Sequence, residues 1–245
     1  MRLQGKVALV TGAARRVGRT IAMSLAQRGA KLAIHYHKSK EEAQRLAEEA
    51  KDSFGREAEI FKADLSEVGQ VERLAESVLK EFGGVHVLVN NASTYEKNIF
   101  GRTEAADWDR HLDANLRAPF FLSQILGLEM KKAGEGKIVN IADWAGQRPY
   151  VDYIPYCVSK AGLLCLNTAL AKALAPEVQV NAVMPGPVLL PESYTPKMRK
   201  AVQDATLVKR LGTPEDVAQA VLFLIESSDF ITGAEITVDG GRLIA

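Results

Sequence analysis

The chain has 245 residues, 47% of them hydrophobic and 25% charged, which suits one large or two small globular domains with a sizeable core. Its 31 Lys and Arg residues nearly balance its 30 Asp and Glu residues, so the charge indicates neither a nucleic acid nor an anionic membrane as a partner. No apolar run approaches the roughly 20 residues that a membrane helix needs.

Short apolar segments alternate with helical patterns along the chain. The predicted strands lie at residues 7–10, 31–36, 58–63, 85–90, 136–141, 178–183 and 235–238. They are apolar on both faces, as the strands of a covered parallel sheet are. The predicted helices cover residues 18–29, 39–55, 66–84, 103–134, 156–177 and 213–227, with Pro119 expected to bend the fourth. This alternation predicts a single α/β domain over residues 1–245, with a doubly wound parallel sheet of the Rossmann type.

One segment near the C-terminus fits this pattern poorly. Residues 185–212 follow a strand, contain four Pro and have only weak helical periodicity. A long irregular stretch inside a compact domain commonly has a function. Residues 187–212 are therefore predicted to form a substrate lid.

The cysteines and the N-terminus predict a cytoplasmic location. Cys157 and Cys165 are eight residues apart on one predicted helix, which separates them by about 12 Å along its axis, too far for a disulfide. We expect both to be reduced core thiols, as in cytosolic proteins. The N-terminal residues enter a strand directly and lack the order of a signal peptide.

The stretch "VALVTGAARRVGRTIA" (7–22) has the form of a strand, a glycine turn and a helix start. Gly12 allows a tight turn, Gly18 allows the helix to approach the sheet, and the free N–H groups of the helix N-terminus suit a pyrophosphate. A dinucleotide site is therefore predicted, although a plain strand–helix turn remains an alternative for this motif alone.

The end of the second strand indicates which dinucleotide. NAD-binding folds place an acid there for the ribose hydroxyls, whereas "IHYHKSK" (34–40) offers His37, Lys38 and Ser39. Arg16 is expected to reach the same pocket. Cations and a hydroxyl suit a 2′-phosphate, so NADPH is predicted over NADH. His35 and His37 have no evident third ligand for a metal site.

Polar residues also follow the next two strands. Asp64 ends the third strand, and Asn90, Asn91 and Ser93 end the fourth. Ligands of such sheets bind at the carboxyl ends of the strands, so Asp64 is predicted to bond an adenine amino group. Asx turns or helix caps would explain each of these residues separately.

Tyr156 and Lys160 are one helical turn apart and face the same side. An ammonium beside a phenol favours the phenolate, so Lys160 is expected to lower the pKa of Tyr156 and to make it an acid or base near neutral pH. Asp143 lies upstream of both residues. It either joins them in catalysis or caps a turn in "DWAGQRP" (143–149).

These motifs occur in a fixed order that resembles the short-chain dehydrogenase/reductase family. The ordered set is "TGAARRVG", "ADLS", "NNAS", Asn115, Tyr156-x-x-x-Lys160, "PG" at 185–186 and "ITGAEITVDGG", and it spans nearly the whole chain. Most members carry Gly, Gly and Ser where this chain has Arg16, Ser93 and Asp143. With Tyr95, these three departures resemble pteridine reductases.

The resemblance implies NADPH-dependent reduction of pterin or dihydropterin rings, including dihydrofolate, by a homotetramer. It implies Asp143, Tyr156, Lys160 and Asn115 as catalytic residues, with Asn115 holding a water through its carbonyl. The implied substrate contacts are Arg16, Ser93, Tyr95, Asp143 and Tyr156. The implied cofactor contacts are Gly12, Arg16, Val17, Gly18, His37, Lys38, Ser39, Asp64, Leu65, Asn91, Ala92, Ser93, Tyr156, Lys160, Pro185, Gly186 and Val188.

The chain also departs from the pteridine reductase pattern. It is shorter than the parasite enzymes, has Tyr95 in place of Phe, and has Val188 in a stretch where many family members have a Thr that bonds the nicotinamide amide. These departures concern the substrate rather than the fold.

Asp143 separates the candidate functions. Reduction of a carbonyl builds negative charge on oxygen, which an ionised carboxylate opposes, whereas a ring C=N needs a proton on its nitrogen. The principal prediction is therefore a pterin reductase. The alternatives are a carbonyl reductase, such as a 3-oxoacyl-carrier-protein reductase, and an NADPH-sensing protein without turnover. The intact Tyr156, Lys160 and Asn115 count against the last.

Overall fold

The structure is a computed structural model that describes residues 1–245. Its seven strands are β1 (Val7–Val10), β2 (Lys31–Tyr36), β3 (Ala58–Lys62), β4 (Val87–Asn90), β5 (Gly136–Ile141), β6 (Val178–Pro185) and β7 (Glu235–Val238). They form one parallel sheet in the order β3-β2-β1-β4-β5-β6-β7. The predicted fold and all seven predicted strands are confirmed. The order reverses between β1 and β4, which places the ligand crevice at their carboxyl ends.

Eight α-helices cover the two faces of the sheet. They are α1 (Arg16–Gln27), α2 (Lys40–Phe54), α3 (Val68–Phe82), α4 (Ala105–Leu112), α5 (Ala118–Ala133), α6 (Ile154–Leu174), α7 (Pro196–Asp204) and α8 (Pro214–Glu226). One core contains buried residues of α1, α2 and α8, and a second contains buried residues of α3, α5 and α6. Ala8 and Val10 enter the first core while Val7 and Leu9 enter the second, which explains why β1 is apolar throughout.

The predicted helix 103–134 is divided. A π-helical turn, Asp113–Arg117, separates α4 from α5. Pro119 lies in the first turn of α5, where its missing N–H leaves no bond to the carbonyl of Asn115 four residues earlier. A π-turn, a distortion that is frequent at functional sites, therefore lies next to Pro119, where a bend was predicted.

The predicted lid contains a helix that its weak periodicity did not indicate. Helix α7 begins after Thr195, whose side chain accepts a hydrogen bond from the Met198 N–H. None of its residues is buried. The helix thus lies on the surface, in agreement with its short and weak apolar pattern in the sequence.

Helix α6 has the length and composition of a membrane-crossing helix, with a mean hydropathy of 1.2 over its most apolar stretch. Half of that stretch is buried inside the molecule, and Leu170 and Leu174 belong to the second core. The helix is apolar because it is a core helix. Both cysteines on it are free, but only Cys157 is buried; Cys165 is exposed, so its prediction as a core thiol is wrong.

Candidate active site

The catalytic candidates meet where β5 ends and α6 begins. The Tyr156 hydroxyl donates a hydrogen bond of 2.6 Å to Oδ2 of Asp143, and the other carboxylate oxygen accepts one of 2.7 Å from the Ala145 N–H. The Lys160 ammonium donates to the carbonyl of Ile141 at 2.8 Å. Asp143 therefore both caps the short turn after β5 and bonds the tyrosine, so the two interpretations of this residue are compatible.

Burial controls the proton affinities of this group. It raises the pKa of Asp143, and burial together with the negative charge of Asp143 raises the pKa of Tyr156 well above its ordinary value. Burial also lowers the pKa of Lys160 to about 8. The expectation that Lys160 lowers the pKa of Tyr156 is wrong, because the phenol bonds the acid while Nζ lies 5.7 Å from the ring centroid.

Asn115, in the π-turn, connects the two sides of this site. Its Oδ1 accepts from the Thr94 N–H at 2.7 Å, and its Nδ2 donates to the Thr94 carbonyl and to the Ser159 hydroxyl, both at 3.0 Å. Ser159 in turn donates to the Tyr156 carbonyl at 2.7 Å. The buried Asn115 side chain thereby joins the loop after β4 to the catalytic helix. The predicted role of its carbonyl in holding a water remains a prediction.

Aromatic rings form one wall of the site. Tyr95 stacks on Tyr153, with centroids 4.6 Å apart and planes 8° apart, and meets Tyr156 edge-on at 4.8 Å. Tyr150 and Trp144 extend the cluster through further edge contacts. Tyr95 was predicted to contact substrate, but Tyr153 was not; its position directly before the catalytic helix, three residues from Tyr156, is the sequence signal that would have found it.

The glycine turn after β1 has the predicted geometry. Gly12 has φ +63°, and a Cβ on Gly18 would overlap the Gly12 carbonyl and the Asn91 side chain. Asn91 donates from Nδ2 to the Thr11 carbonyl at 2.8 Å, so it closes the end of β4 onto the end of β1. No side chain caps the start of α1, which leaves its first N–H groups available to an anion.

A cavity of about 270 Å³ lies beside this turn at the end of β2. It is lined by Gly12, Ala14, Arg15, Tyr36, His37, Lys38 and Ser39. Ser39 precedes α2 without capping it, so its hydroxyl remains available to a ligand. The predicted cationic pocket is thus present, but its arginine is Arg15 rather than Arg16. Arg15 Nη1 lies 3.7 Å from a carboxylate oxygen of Glu42, an acid on α2.

Arg16 points toward the predicted lid instead. Its Nη2 donates a hydrogen bond of 3.1 Å to the Leu189 carbonyl. Its backbone has φ +57°, in the left-handed region that disfavours residues with a Cβ. A strained residue that makes a long-range contact is typical of a functional position.

Because the backbone of Arg16 is left-handed, Gly should be more stable than Ala at this position, the reverse of the usual order within a helix. Arg16→Gly is expected to unfold with a free energy about 1 kcal/mol higher than Arg16→Ala, because left-handed backbone costs roughly that much for a residue with a Cβ. At Arg19, inside α1, Ala should instead be the more stable by about 0.5–1 kcal/mol. Urea unfolding of the four variants tests this; Ala more stable at both positions would contradict the assigned conformation.

His35 is a buried connector. Its Nδ1 accepts from the Gly12 N–H at 3.0 Å and its Nε2 donates to the Ala63 carbonyl at 3.1 Å. Burial lowers its pKa to about 4, so the ring is neutral and holds the loops after β1 and β3 together. The neighbouring His37 pairs with Asp64 at 3.4 Å.

The remaining predicted residues lie along the same carboxyl edge of the sheet. Ser93 is exposed, its hydroxyl making only a 3.4 Å contact with the Thr94 carbonyl. Asp64 accepts from the Ser66 N–H and hydroxyl as well as facing His37, so it also forms an Asx-type turn. The rest, Val17, Leu65, Ala92, Pro185, Gly186 and Val188, are half-buried or buried around the crevice.

The fold and this edge define a class of protein. An uncapped helix start, a glycine turn, a cationic cavity and a Tyr–Lys pair surround one crevice at the switch point of a parallel sheet. That combination is typical of an oxidoreductase that uses a nicotinamide dinucleotide.

Comparison with known proteins agrees with this class. A family model described as enoyl-(acyl carrier protein) reductase matches residues 12–242. Among curated relatives, the 3-oxoacyl-[acyl-carrier-protein] reductase FabG of Thermotoga maritima is 35% identical, with all of both chains covered. That of Aquifex aeolicus is 36% identical, with 98% of each chain covered. The chain belongs to the short-chain dehydrogenase/reductase family and is an oxidoreductase.

Solved structures give the same family with varied substrates. FolM alternative dihydrofolate reductase 1 from Brucella canis, complexed with NADP, is 33% identical with a TM-score of 0.92, covering 100% of this chain and 96% of its own. A 7α-hydroxysteroid dehydrogenase complexed with NADH and 7-oxo glycochenodeoxycholic acid is 31% identical with a TM-score of 0.93, covering 98% and 95%. The cofactor is therefore a nicotinamide dinucleotide.

Proposed function

We propose that the protein is an NADPH-dependent reductase of pterin-type rings, with a dihydropterin or dihydrofolate as substrate. The observation that carries this proposal is the 2.6 Å hydrogen bond between Tyr156 and Asp143. It pairs the catalytic phenol with a buried carboxyl of raised pKa, a group suited to protonating a ring nitrogen. The similarity to the Brucella canis dihydrofolate reductase supports the same substrate class.

The residues present fit NADPH. The turn at Gly12 and the uncapped start of α1 suit a pyrophosphate, and the 2′-phosphate would lie among Arg15, Lys38 and Ser39. When bound, NADPH supplies the hydride. Lys160 is assigned to the nicotinamide ribose, and Ser93 and Arg16 to the junction of cofactor and substrate.

The protein then moves one proton. As the hydride adds to a ring carbon of the C=N bond, Tyr156 donates its hydroxyl proton to the adjacent nitrogen. Asp143, when protonated, returns a proton to the phenolate through their shared hydrogen bond and is itself reprotonated from solvent. Tyr156 thus starts and ends each cycle neutral, as its raised pKa favours.

The substrate ring would lie flat beside Tyr95. The Tyr95 ring is 46% exposed and meets Tyr156 edge-on, so a ring stacked on it is within reach of the phenol. Offset stacking on an aromatic side chain suits a flat heterocycle. Tyr194, from the predicted lid at 187–212, lies near Tyr95, and Leu189 of the same segment accepts the hydrogen bond from Arg16.

A second candidate is reduction of a 3-oxoacyl thioester. The observation that favours it is the set of curated relatives named 3-oxoacyl-[acyl-carrier-protein] reductase, at 34–36% identity over almost the whole chain. The acid at position 143 weighs against it only when ionised, since a carboxylate opposes charge on a developing alkoxide and a protonated carboxyl does not.

Oxidation of NADPH with a panel of substrates tests the proposal. Dihydrobiopterin, dihydrofolate, dihydromonapterin and acetoacetyl thioesters are offered at equal concentrations, and product is identified by chromatography. We expect turnover of at least one dihydropterin and little of the thioester. Turnover of the thioester alone would contradict the proposal and support the second candidate.

We also infer a homotetramer and a cytoplasmic location. Phe120 and Leu128 on α5 and Val158 on α6 are exposed apolar residues, as subunit contacts require. Sedimentation velocity measures the assembly directly. A monomer at micromolar concentration would contradict the tetramer.

A further inference from the structure

The loop after β4 is held on both sides of Tyr95 by side chains from one helical segment. Asn115 makes two hydrogen bonds to the backbone of Thr94, the residue before Tyr95. His111, one turn earlier, accepts a hydrogen bond of 3.3 Å at Nε2 from the N–H of Glu96, the residue after it. Two side chains four residues apart therefore hydrogen-bond the backbone on either side of Tyr95.

The hydrogen bonds of His111 fix its tautomer. The ring is fully buried, and Nδ1 lies 2.8 Å from the carbonyl of Asp107, which can only accept. Nδ1 therefore carries the proton, which leaves Nε2 as the acceptor for the Glu96 N–H. Both nitrogens are satisfied in the neutral ring, and neither faces Tyr156 or the cofactor edge.

The outer side of the same loop is attached to the segment before α6. The Asn98 N–H donates to the Asp152 carbonyl at 2.7 Å, and Lys97 forms an ion pair with the Asp152 carboxylate at 2.8 Å. Tyr153, next in the chain, is the ring on which Tyr95 stacks. Tyr95 is thus oriented by backbone bonds from behind and by one stacked ring.

We propose that His111 is a positioning residue that sets the orientation of Tyr95 for a flat substrate ring. The proposal rests on the proposed function, because it takes Tyr95 as the surface on which the substrate stacks. Tyr95, Glu96 and Lys97 are all exposed, so besides the ring contacts of Tyr95 and the ion pair of Lys97 the loop depends on its backbone bonds. Loss of the His111 bond would free the segment after Tyr95 while leaving Tyr156, Asp143 and the cofactor residues in place.

Kinetics of His111→Phe and His111→Gln test this role. Phe removes the acceptor and is expected to raise the KM for the dihydropterin about tenfold, with kcat and the KM for NADPH within twofold of wild type. Gln retains an acceptor oxygen and is expected to recover most of the loss. Arg110→Ala removes exposed ion pairs with Glu96 and Asp107 but no backbone bond of the loop, and it is the matched control, with no change expected.

A double-mutant cycle with Tyr95→Ala shows whether the effect passes through Tyr95. In the Tyr95→Ala background, His111→Phe is expected to cause no further rise in KM. Additive losses would overturn the proposal. If Tyr95→Ala alone leaves the pterin KM unchanged, the stacking part of the proposed function fails; if only His111→Phe has no effect, the positioning role alone fails.

Hydrogen exchange of the wild-type protein tests the same hydrogen bond if His111→Phe does not fold. The Glu96 amide of the wild-type protein is expected to exchange at least tenfold more slowly than the exposed Lys97 amide. In Tyr95→Ala, most of this protection of the Glu96 amide should remain. Exchange of Glu96 at the rate of an unprotected amide would overturn the proposal without any variant.

Discussion

Replacing Asp143 with Asn is expected to lower kcat/KM for a dihydropterin by roughly 10²–10⁴-fold, the usual size of a general acid–base contribution. The Asn side chain keeps an oxygen for the Ala145 N–H and can donate to the Tyr156 oxygen, so the local hydrogen bonds survive. What it cannot do is supply a proton. Steady-state kinetics at pH 7 measures the loss, with the KM for NADPH expected to be unchanged.

The same variant should be more stable than wild type at neutral pH. The folded pKa of Asp143 is raised, so its ionised form opposes folding at pH values above that pKa. The opposition disappears as pH falls below the ordinary pKa of Asp, where both folded and unfolded states are protonated. The gain in melting temperature should therefore be present at pH 7–8 and absent near pH 3.

Asp152→Asn is the matched control for Asp143. It removes an exposed acid of the same segment that pairs with Lys97, and its expected effect on kcat is within twofold. Asp143→Ser restores the residue that most family members carry, and we expect it to gain activity with an acetoacetyl thioester. Unchanged pterin reduction in both Asp143 variants would refute the assigned role.

Removing the cations at the end of β2 should weaken the preference of the enzyme for NADPH over NADH. Arg15→Ala and Lys38→Ala are each expected to raise the KM for NADPH about tenfold, because each removes a charged partner of the 2′-phosphate. The double variant should lose about a hundredfold in NADPH preference. The KM for NADH, which lacks that phosphate, should change less than twofold in all three.

Lys40→Ala is the control for this set. Lys40 is an exposed cation at the start of α2, two residues beyond Lys38 and outside the cavity lining. Its loss should leave both cofactors unaffected. Equal efficiency of the wild-type protein with NADH and NADPH would contradict the NADPH assignment whatever the variants do.

Much of the fold could be predicted because its signals are local. The strands are short apolar runs, and the burial of β1, β2, β4, β5 and β6 on both faces follows from the helices between them. The edge strands β3 and β7 are only partly buried. Thr213 and Pro214 marked the start of α8, and the structure shows the Thr213 side chain as its cap. Helix α7 was missed because it is short and polar, with only Met198, Ala201 and Val202 as a brief apolar pattern.

The site was only partly predictable because its chemistry depends on contacts between distant residues. The spacing of Tyr156 and Lys160 predicted a shared face but not which partner each would bond. The Tyr156 hydroxyl bonds Asp143 rather than Lys160. Burial and the charge of Asp143 raise the pKa of Tyr156, where the sequence had predicted a lower value. The sequence likewise did not show which of Arg15 and Arg16 lines the cavity. In the structure Arg16 has a left-handed backbone and bonds Leu189, while Arg15 lines the cavity.

The central claim is that Asp143 holds a proton for Tyr156 more tightly than an ordinary aspartate does. A pH titration of the carboxyl carbon of Asp143 by ¹³C NMR, with the signal assigned by its loss in Asp143→Asn, measures this directly. The predicted result is a pKa above the ordinary value of about 3.9 for Asp, with a further rise in Tyr156→Phe, where the hydrogen bond that lowers it is removed. A pKa at or below that ordinary value would contradict the account, because burial would then not favour the protonated form of Asp143 on which the return of a proton to Tyr156 depends.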